Sequence, residues 1–185
     1  MIQNLVFLLE EPSAKAMLEG ILPRIISPDI VVTYLLFHGK QDLERNVEQK
    51  IRLWQKPHSA FVIMRDQDSA ICTDVKQHLL EKCAHLDNAN ILVRIACHEL
   101  ESFYLGDLEA IGNAYQTQVP SQQNRKYREP DNLANAAEEL SKITKKQYQK
   151  IDGSRRIAPF LKMDGTNRSH SFNVLCAGIR QIING

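Results

Sequence analysis

Residues 61–69 read FVIMRDQDS, in which a run of four apolar residues leads into two aspartates one residue apart. A continuous apolar run of this kind is typical of a strand that is buried on both faces, as in a parallel sheet. Similar runs occur at residues 2–9, 29–37 and 90–97, and segments with apolar residues at helical spacing separate them. The alternation predicts an α/β fold with a mostly parallel four-stranded sheet flanked by helices.

The last part of the chain has a different pattern. No convincing strand follows His98, whereas residues 107–117 and 132–150 have helical patterns and apolar residues from Phe172 onward mark a closing helix. We therefore predict an α/β core over residues 1–106 and a helical C-terminal extension over residues 107–185. At 185 residues the chain is long enough to bury one core, so we expect the extension to pack on the α/β part as one structural domain.

The composition and charge of the chain argue against a membrane-spanning protein and leave most other functional classes open. The formal net charge of +1 creates no global field toward nucleic acid or an anionic surface, so such binding requires a local patch. No apolar run approaches the roughly 18 residues of a spanning helix. The four cysteines form no C-x-x-C pair, their spacing supports no zinc site, and the first residues lack a basic signal-peptide region. These features predict a reduced, cytoplasmic chain.

Acidic residues gather where the predicted strands end, which is the edge of a parallel sheet that binds ligands. Carboxylates that converge there repel one another unless a cation lies among them. Oxygen ligands suit Mg²⁺ or Mn²⁺, which binds one or two carboxylates together with substrate phosphate. The acids that follow the first, third and fourth strands are Glu10, Glu11, Asp66, Asp68, Glu99 and Glu101.

These acids also have a purely structural interpretation. Asp66 and Asp68 are two residues apart, so in an extended segment they point to the same side and can share one site. Acids in a first helical turn can instead cap backbone N–H groups. For Asp68 the two interpretations are equally favoured, and for Glu11, which precedes Pro12, capping is favoured. Glu99 and Glu101 could simply begin a solvated helix.

A basic region lies in the C-terminal third. Residues 142–168 contain eight basic and two acidic side chains, and Arg155, Arg156 and Arg168 are candidates for phosphate contacts. The alternative is a solvated helical face. In the segment GTNRSHSF, residues 165–172, polar groups precede the closing helix, whose N-terminus is a natural anion site. The additional phosphate-binding candidates in this segment are Asn167, Ser169 and Ser171.

Two segments resemble the motifs of TOPRIM domains. LVFLLEEPSAKAMLEGIL, residues 5–22, resembles the first motif, a strand that ends in Glu, and FVIMRDQDS resembles the second, a strand that ends in Asp-x-Asp. The resemblance implies that Glu10, Asp66 and Asp68 are catalytic, metal-binding acids and that Glu10 is also a candidate general acid or base. TOPRIM domains usually have Gly after the motif Glu, where this chain has Glu11.

A closer resemblance covers nearly the whole chain. The segments ACHELESFYLGD (96–107), SRRIAPFL (154–161) and NRSHSF (167–172) resemble a bacterial domain-of-unknown-function family, DUF4276, which has a TOPRIM-like core. Members are often encoded beside ATPases associated with phage defence. The resemblance therefore implies a small nuclease-like protein with an ATPase partner.

We expect a Mg²⁺- or Mn²⁺-dependent phosphodiesterase that acts on DNA or RNA. Glu10, Asp66 and Asp68 would hold the metal, with Glu99 or Glu101 as further ligands. The alternative is a non-catalytic adaptor that binds an ATPase or nucleic acid through the same fold. A small-molecule phosphate transferase is disfavoured because no Gly-rich phosphate loop is present.

Overall fold

Four strands form a single sheet in the computed structural model, which describes residues 1–86 and 89–184. They are paired in the order β2-β1-β3-β4, and every pair is parallel. The strands are β1 (Asn4–Leu9), β2 (Val31–Leu36), β3 (Ser59–Asp66) and β4 (Asn90–Ala96). The predicted α/β class with a parallel four-stranded sheet is confirmed, and the fold is TOPRIM-like.

The strand register brings the strand ends together. Leu9, the last residue of β1, is level with Leu36 of β2 and Met64 of β3, and Asp66 of β3 is level with Ala96 of β4. The carboxyl ends of all four strands therefore meet at one edge, which we call the carboxyl edge. Every loop that leaves this edge leads into the next helix, as in other parallel sheets.

Helices cover both faces of the sheet. Strand side chains alternate between the faces. One hydrophobic cluster joins Leu5, Phe7 and Leu9 to α1 and the C-terminal helices, and the other joins Val6 and Leu8 to α2 and α3. The helices are α1 (Pro12–Ile21), α2 (Lys40–Arg52), α3 (Cys72–Lys82), α4 (Glu101–Leu105), α5 (Leu108–Tyr115), α6 (Ala136–Ile143), α7 (Lys150–Ile157) and α8 (His170–Asn184).

The C-terminal helices share a core with the sheet. Ile111 of α5, Ile157 of α7 and Phe172 of α8 are fully buried in the same cluster as Leu5 and Phe7 of β1. Helix α1 packs against α7, and α8 packs against β4. Within the described residues no strand follows Ala96, in agreement with the sequence pattern.

The helix predicted over residues 132–150 is wrong. The segment contains α6, then a turn, and then the first residue of α7. Lys145 and Lys146 adopt positive φ values of 52° and 65°, which ends α6 and redirects the chain. The turn is stabilised by Thr144, whose hydroxyl accepts the backbone N–H of Tyr148 at 3.2 Å. As a result Tyr148 is buried and Lys150 begins a new helix.

No helix in residues 1–86 and 89–184 combines the length and apolar character needed to cross a membrane.

We predict that Gly106→Ala destabilises the fold. A Cβ atom at Gly106 would lie 2.0 Å from Oδ1 of Asn167 and 2.6 Å from the backbone nitrogen of Ser169, so α4 or the loop before α8 would have to move. We expect the free energy of unfolding to fall by about 1–3 kcal/mol, as overpacking usually costs. Urea unfolding followed by circular dichroism measures the change.

Gly112→Ala is the matched control for this prediction. Its added Cβ would meet its nearest neighbour at 3.4 Å, inside helix α5. Alanine favours a helix over glycine by up to about 1 kcal/mol, so this variant should be at least as stable as the wild type. Equal stability of the Gly106 variant and the wild type would contradict the packing described.

Candidate functional site

Acidic side chains from three chain segments meet at the carboxyl edge. Glu10 and Glu11 follow β1, and Asp66 is the last residue of β3. The backbone N–H of Asp66 donates a hydrogen bond to Oε2 of Glu10 at 3.4 Å. Glu101 of α4 adds a fourth carboxyl group close enough to raise the pKa of Asp66. We call these four residues the acidic cleft. The space between Glu10, Glu11 and Asp66 has room for about one water-sized particle.

Three carboxyl groups of the acidic cleft, those of Glu10, Asp66 and Glu101, have pKa values above the ordinary range. Burial raises the pKa of Asp66 well above its usual value, and the charges of Glu101, Glu11 and Glu10 raise it further. Burial also raises the pKa of Glu10, an effect that Arg65 opposes and that Asp68 strengthens. Like charges close together cannot all ionise unless a cation balances them. The acidic cleft is therefore a place where a cation would be favoured.

The C-terminal extension closes one side of the acidic cleft. Glu101 is 1% exposed, and its Oε1 accepts a hydrogen bond from the hydroxyl of Tyr148 at 2.8 Å. Burial raises the pKa of Glu101, while this hydrogen bond and the charge of Lys150 lower it. Nζ of Lys150, the first residue of α7, lies 3.2 Å from Oε2 of Glu11. Residues from the sheet and from the extension thus form one site.

A buried arginine separates the acidic cleft from the other acids. The side chain of Arg65 is 4% exposed and forms ion pairs with Glu44, with Oε2 of Glu10 at 3.9 Å and with Oδ2 of Asp68 at 3.4 Å. Its Nε donates to the backbone carbonyl of Asp66 at 2.9 Å. Arg65 is therefore a fixed positive charge inside the carboxyl edge.

Asp68 does not continue the extended backbone of Asp66. Asp68 has a φ of 56°, so the chain leaves the extended conformation just after Asp66. The Asp68 carboxylate pairs with Lys40 at 2.8 Å and with Arg65 at 3.4 Å. The geometric expectation drawn from the D-x-D spacing is wrong because it assumed an extended backbone. Asp68 makes no cap either, since α3 begins only at Cys72 and has no side-chain cap.

Two expectations for the other acids are corrected, the capping role of Glu11 and the metal-ligand role of Glu99. Glu11 occupies the position before α1 but caps no backbone N–H; its carboxylate accepts the hydroxyl of Ser13 at 3.0 Å and pairs with Lys150. Glu99, expected as a further metal ligand, accepts the backbone N–H of Ala137 at 2.8 Å and so caps α6. Across residues 1–86 and 89–184, no three His, Cys, Asp or Glu side chains form a ready-made metal site.

The N-terminus of α8 binds a carboxylate of the protein itself, that of Asp131. Oδ1 of Asp131 accepts the hydroxyl of Ser169 at 2.6 Å, and its Oδ2 accepts the backbone N–H of Ser171 at 2.7 Å. Asn167 accepts the N–H of Ser169 and donates to the carbonyl of Phe103. The expected phosphate contacts of Asn167, Ser169 and Ser171 are therefore revised: all three are buried and serve to hold the extension together.

The arginines of the basic region remain at the surface. Arg155 and Arg156 are exposed on α7, the helix whose first residue reaches the acidic cleft. The guanidinium of Arg156 lies 4.8 Å from the ring centre of Tyr115 and 3.8 Å from Asp152. Arg168 is also exposed, and its backbone N–H donates to the carbonyl of Gly106.

A family model for a domain of unknown function, DUF4276, matches residues 9–180. The chain belongs to this family. The match spans the acidic cleft and all eight helices at least in part, so the DUF4276 domain includes both the sheet and the C-terminal extension. The comparison with curated proteins gives no match.

Solved structures share the fold of this DUF4276 domain. The C-terminal region of the Burkholderia pseudomallei OLD protein is 18% identical, with a TM-score of 0.53, and the match covers 99% of both chains. The C-terminal region of the Xanthomonas campestris pv. campestris OLD protein is 13% identical, with a TM-score of 0.51, over 100% of this chain and 97% of the other. At these identities the likeness establishes the fold.

Three residues of the site were missed from the sequence. The sequence does contain an indication of the role of Arg65, because a charged residue within the apolar run of a buried strand needs a partner of opposite charge. No sequence pattern indicates the roles of Tyr148 and Lys150. Each is one of several similar residues in a basic region, and their acidic partners lie far away along the chain.

We predict that Asp66→Asn stabilises the metal-free protein at neutral pH. The pKa of Asp66 is raised on folding, so its ionisation costs stability once the pH exceeds the usual value of 3.8, and the cost grows until the folded group ionises. We expect a gain on the order of 1 kcal/mol, a common size for single substitutions. The gain should vanish below about pH 3.8, where Asp66 is protonated in both states.

Asp68→Asn is the matched control, measured by urea unfolding across the same pH range. Its carboxylate is exposed and paired with Lys40 and Arg65, so its loss should leave stability unchanged or lower it. A stabilising Asp68→Asn together with a neutral Asp66→Asn would contradict the electrostatics described.

Proposed function

We propose that this DUF4276 domain is a Mg²⁺- or Mn²⁺-dependent phosphodiesterase that cleaves DNA or RNA. The observation that supports it most is the convergence of Glu10, Glu11, Asp66 and Glu101 at the carboxyl edge, with the pKa values of three of them raised. Perturbed acids in a cleft are a feature of functional sites. A fold kept for stability alone gains nothing from placing four carboxyl groups together.

The donor set suits one divalent cation. Mg²⁺ usually binds one or two carboxylates and completes its shell with water and substrate phosphate, so three preformed ligands are not required. Glu10 and Asp66 would hold the ion, and Glu11 lies on the same small cleft. Asp68 would join only if its pairs with Lys40 and Arg65 opened. A bound ion of this kind activates water and stabilises the leaving oxygen.

The fixed cations of the site limit how many metal ions it holds. Arg65 balances Glu44, Asp68 and part of the charge of Glu10. The space left between Glu10, Glu11 and Asp66 has room for about one particle the size of water. We therefore propose one cation at this site, with Arg65 as a fixed positive charge beside it.

Residues of the chain supply the remaining functions. Glu10, whose pKa burial raises in the absence of a cation, would exchange a proton with the reacting water or the leaving oxygen. Lys150 stands beside the acidic cleft at the start of α7 and would orient a substrate phosphate. Arg155 and Arg156, on the same helix, would contact the nucleic-acid backbone.

A second candidate function is a non-catalytic adaptor. It is favoured by the absence of a ready-made metal site among residues 1–86 and 89–184 and by the pairing of Glu11 with Lys150 and of Asp68 with Lys40. In this case Lys40, Arg65 and Lys150 would balance the charge of the acids in place of a metal ion, and the protein would bind nucleic acid or an ATPase without cleaving a substrate. Both proposals include an ATPase partner and a role in phage defence, which rest on the family resemblance. Both also include a cytoplasmic location, which rests on the free cysteines.

We predict that Mn²⁺ binds with a stoichiometry of one and that Glu10→Gln and Asp66→Asn each weaken it at least tenfold. Each substitution removes a charged ligand but keeps the shape of the side chain. Isothermal titration calorimetry measures the affinity, and cleavage of single- and double-stranded DNA and RNA oligonucleotides should be lost in parallel. Glu138→Gln, an exposed acid on α6, is the control and should bind as the wild type does.

The titration also separates the two functions. Mn²⁺ binding together with cleavage supports the phosphodiesterase. Oligonucleotide binding without Mn²⁺ binding or cleavage, even when both are added together, supports the adaptor. Wild-type affinity in the Asp66→Asn variant would refute the metal assignment.

We predict that the double variant Arg155→Ala, Arg156→Ala weakens oligonucleotide binding and lowers its salt dependence. Each lost phosphate contact reduces the slope of log affinity against log salt concentration by about 1, so the double variant should lose about 2. Fluorescence anisotropy at several salt concentrations measures the slope. Arg52→Ala is the control, because Arg52 lies near the start of β3 at the opposite edge of the sheet; an equal loss there would contradict a binding surface on α7.

A further inference from the structure

Two cysteines lie in contact beside the carboxyl edge. Sγ of Cys72, the first residue of α3, is 3.9 Å from Sγ of Cys97, which follows β4. Both side chains are half-buried, so a small reagent can reach them, whereas Cys83 and Cys176 are buried. The two residues come from separate loops that leave neighbouring strands, and no feature of the proposed reaction uses either of them.

The contact lies at the end of a short backbone ladder. The loop from Gln67 to Ile71 carries Asp68 from β3 to α3, and the chain after β4 runs alongside it. Gln67 N–H donates to the carbonyl of Ala96 at 2.9 Å, and Asp68 N–H donates to the carbonyl of His98 at 3.0 Å. The side-chain oxygen of Gln67 accepts the N–H of His98 at 3.2 Å. The loop is thus tied to the β4 exit at its beginning, and the cysteines face each other at its end.

We propose that Cys72 and Cys97 form a reversible disulfide whose oxidant is a low-molecular-weight disulfide. The sulfur atoms lie 3.9 Å apart and would approach by about 1.9 Å to reach the bonding distance of about 2.05 Å. Transient disulfides of this kind occur in otherwise reducing compartments as redox-sensing bonds.

The reaction balances as two thiol–disulfide exchanges. The thiolate of Cys72 attacks the small disulfide, forms a mixed disulfide and releases one small thiolate, which takes up the proton that Cys72 lost. Burial and the neighbouring Cys72 raise the pKa of Cys97 to about 12, so Cys97 is a thiol until this point. Its sulfur then loses the proton as it attacks the Cys72 sulfur of the mixed disulfide, and the released second small thiolate takes up a proton. The two cysteines are oxidised, and the small disulfide is reduced to two thiols.

The bond would restrain the loop that carries Asp68. Its first residues are already held by the ladder to Ala96 and His98, and the disulfide would fix its far end at Cys72. Between these points the hydrogen bond from Ala70 N–H to the carbonyl of Gln67 is long, at 3.4 Å. Oxidation would therefore reduce the opening of residues 68–71, independently of whether the acidic cleft is catalytic.

The test is oxidation of the full chain with oxidised glutathione, followed by intact-mass analysis and peptide mapping. We expect a mass lower by two hydrogens, one linked peptide pair that contains Cys72 and Cys97, and full reversal by dithiothreitol. Cys72→Ser and Cys97→Ser should each abolish the linked pair. Cys83→Ser, at a buried site, is the control and should retain it.

Three results would overturn the proposal: a linked pair that persists in the Cys72→Ser variant, a stable glutathione adduct on one cysteine of the wild type, or disulfide-linked dimers in place of the internal bond. Hydrogen–deuterium exchange tests the effect on the loop. Exchange at residues 68–71 should be at least threefold slower in the oxidised protein, and an unchanged rate would refute the restraint.

Discussion

Electrostatic crowding at the carboxyl edge is the constraint on which the rest of the site depends. β1 and β3 are neighbouring parallel strands, and their register places Glu10 next to Asp66. The backbone N–H of Asp66 donates a hydrogen bond to the Glu10 carboxylate. Two further acids, Glu11 and Glu101, add to the same field. Two cations offset part of this repulsion: Arg65 from within the sheet and Lys150 from the extension.

The positive charges around the site are not interchangeable. Arg65 is buried and held by three carboxylates and a carbonyl, so it is part of the folded structure and cannot leave with a substrate. Lys150 is largely exposed and has one close carboxylate partner, so it can change partner at small cost. The first kind of cation sets how much charge the cleft presents, and the second can respond to what arrives there.

Much of the fold could be predicted from the sequence, because continuous apolar runs and helical spacing report burial directly. The gathering of Glu10, Asp66 and Glu101 followed from parallel topology alone. What could not be predicted depends on single backbone torsions and on long-range partners. The positive φ of Asp68 separates it from Asp66, and the left-handed lysines divide the helix expected over 132–150. Asp131 fills the N-terminus of α8 from about forty positions earlier in the chain, a pairing that no local pattern reveals.

The hydrogen bond between Glu101 and Tyr148 bears on the order in which the domain is made. The four described strands and the four acids of the cleft are synthesised before Tyr148 and Lys150. Until then the carboxyl group of Glu101 has no phenol to bind it and Glu11 has no ammonium beside it. The helices that complete the shared core are also the last to appear. The cleft is therefore completed late in biosynthesis, and a chain that stops short of α7 would have Arg65 beside its acids but would lack Lys150.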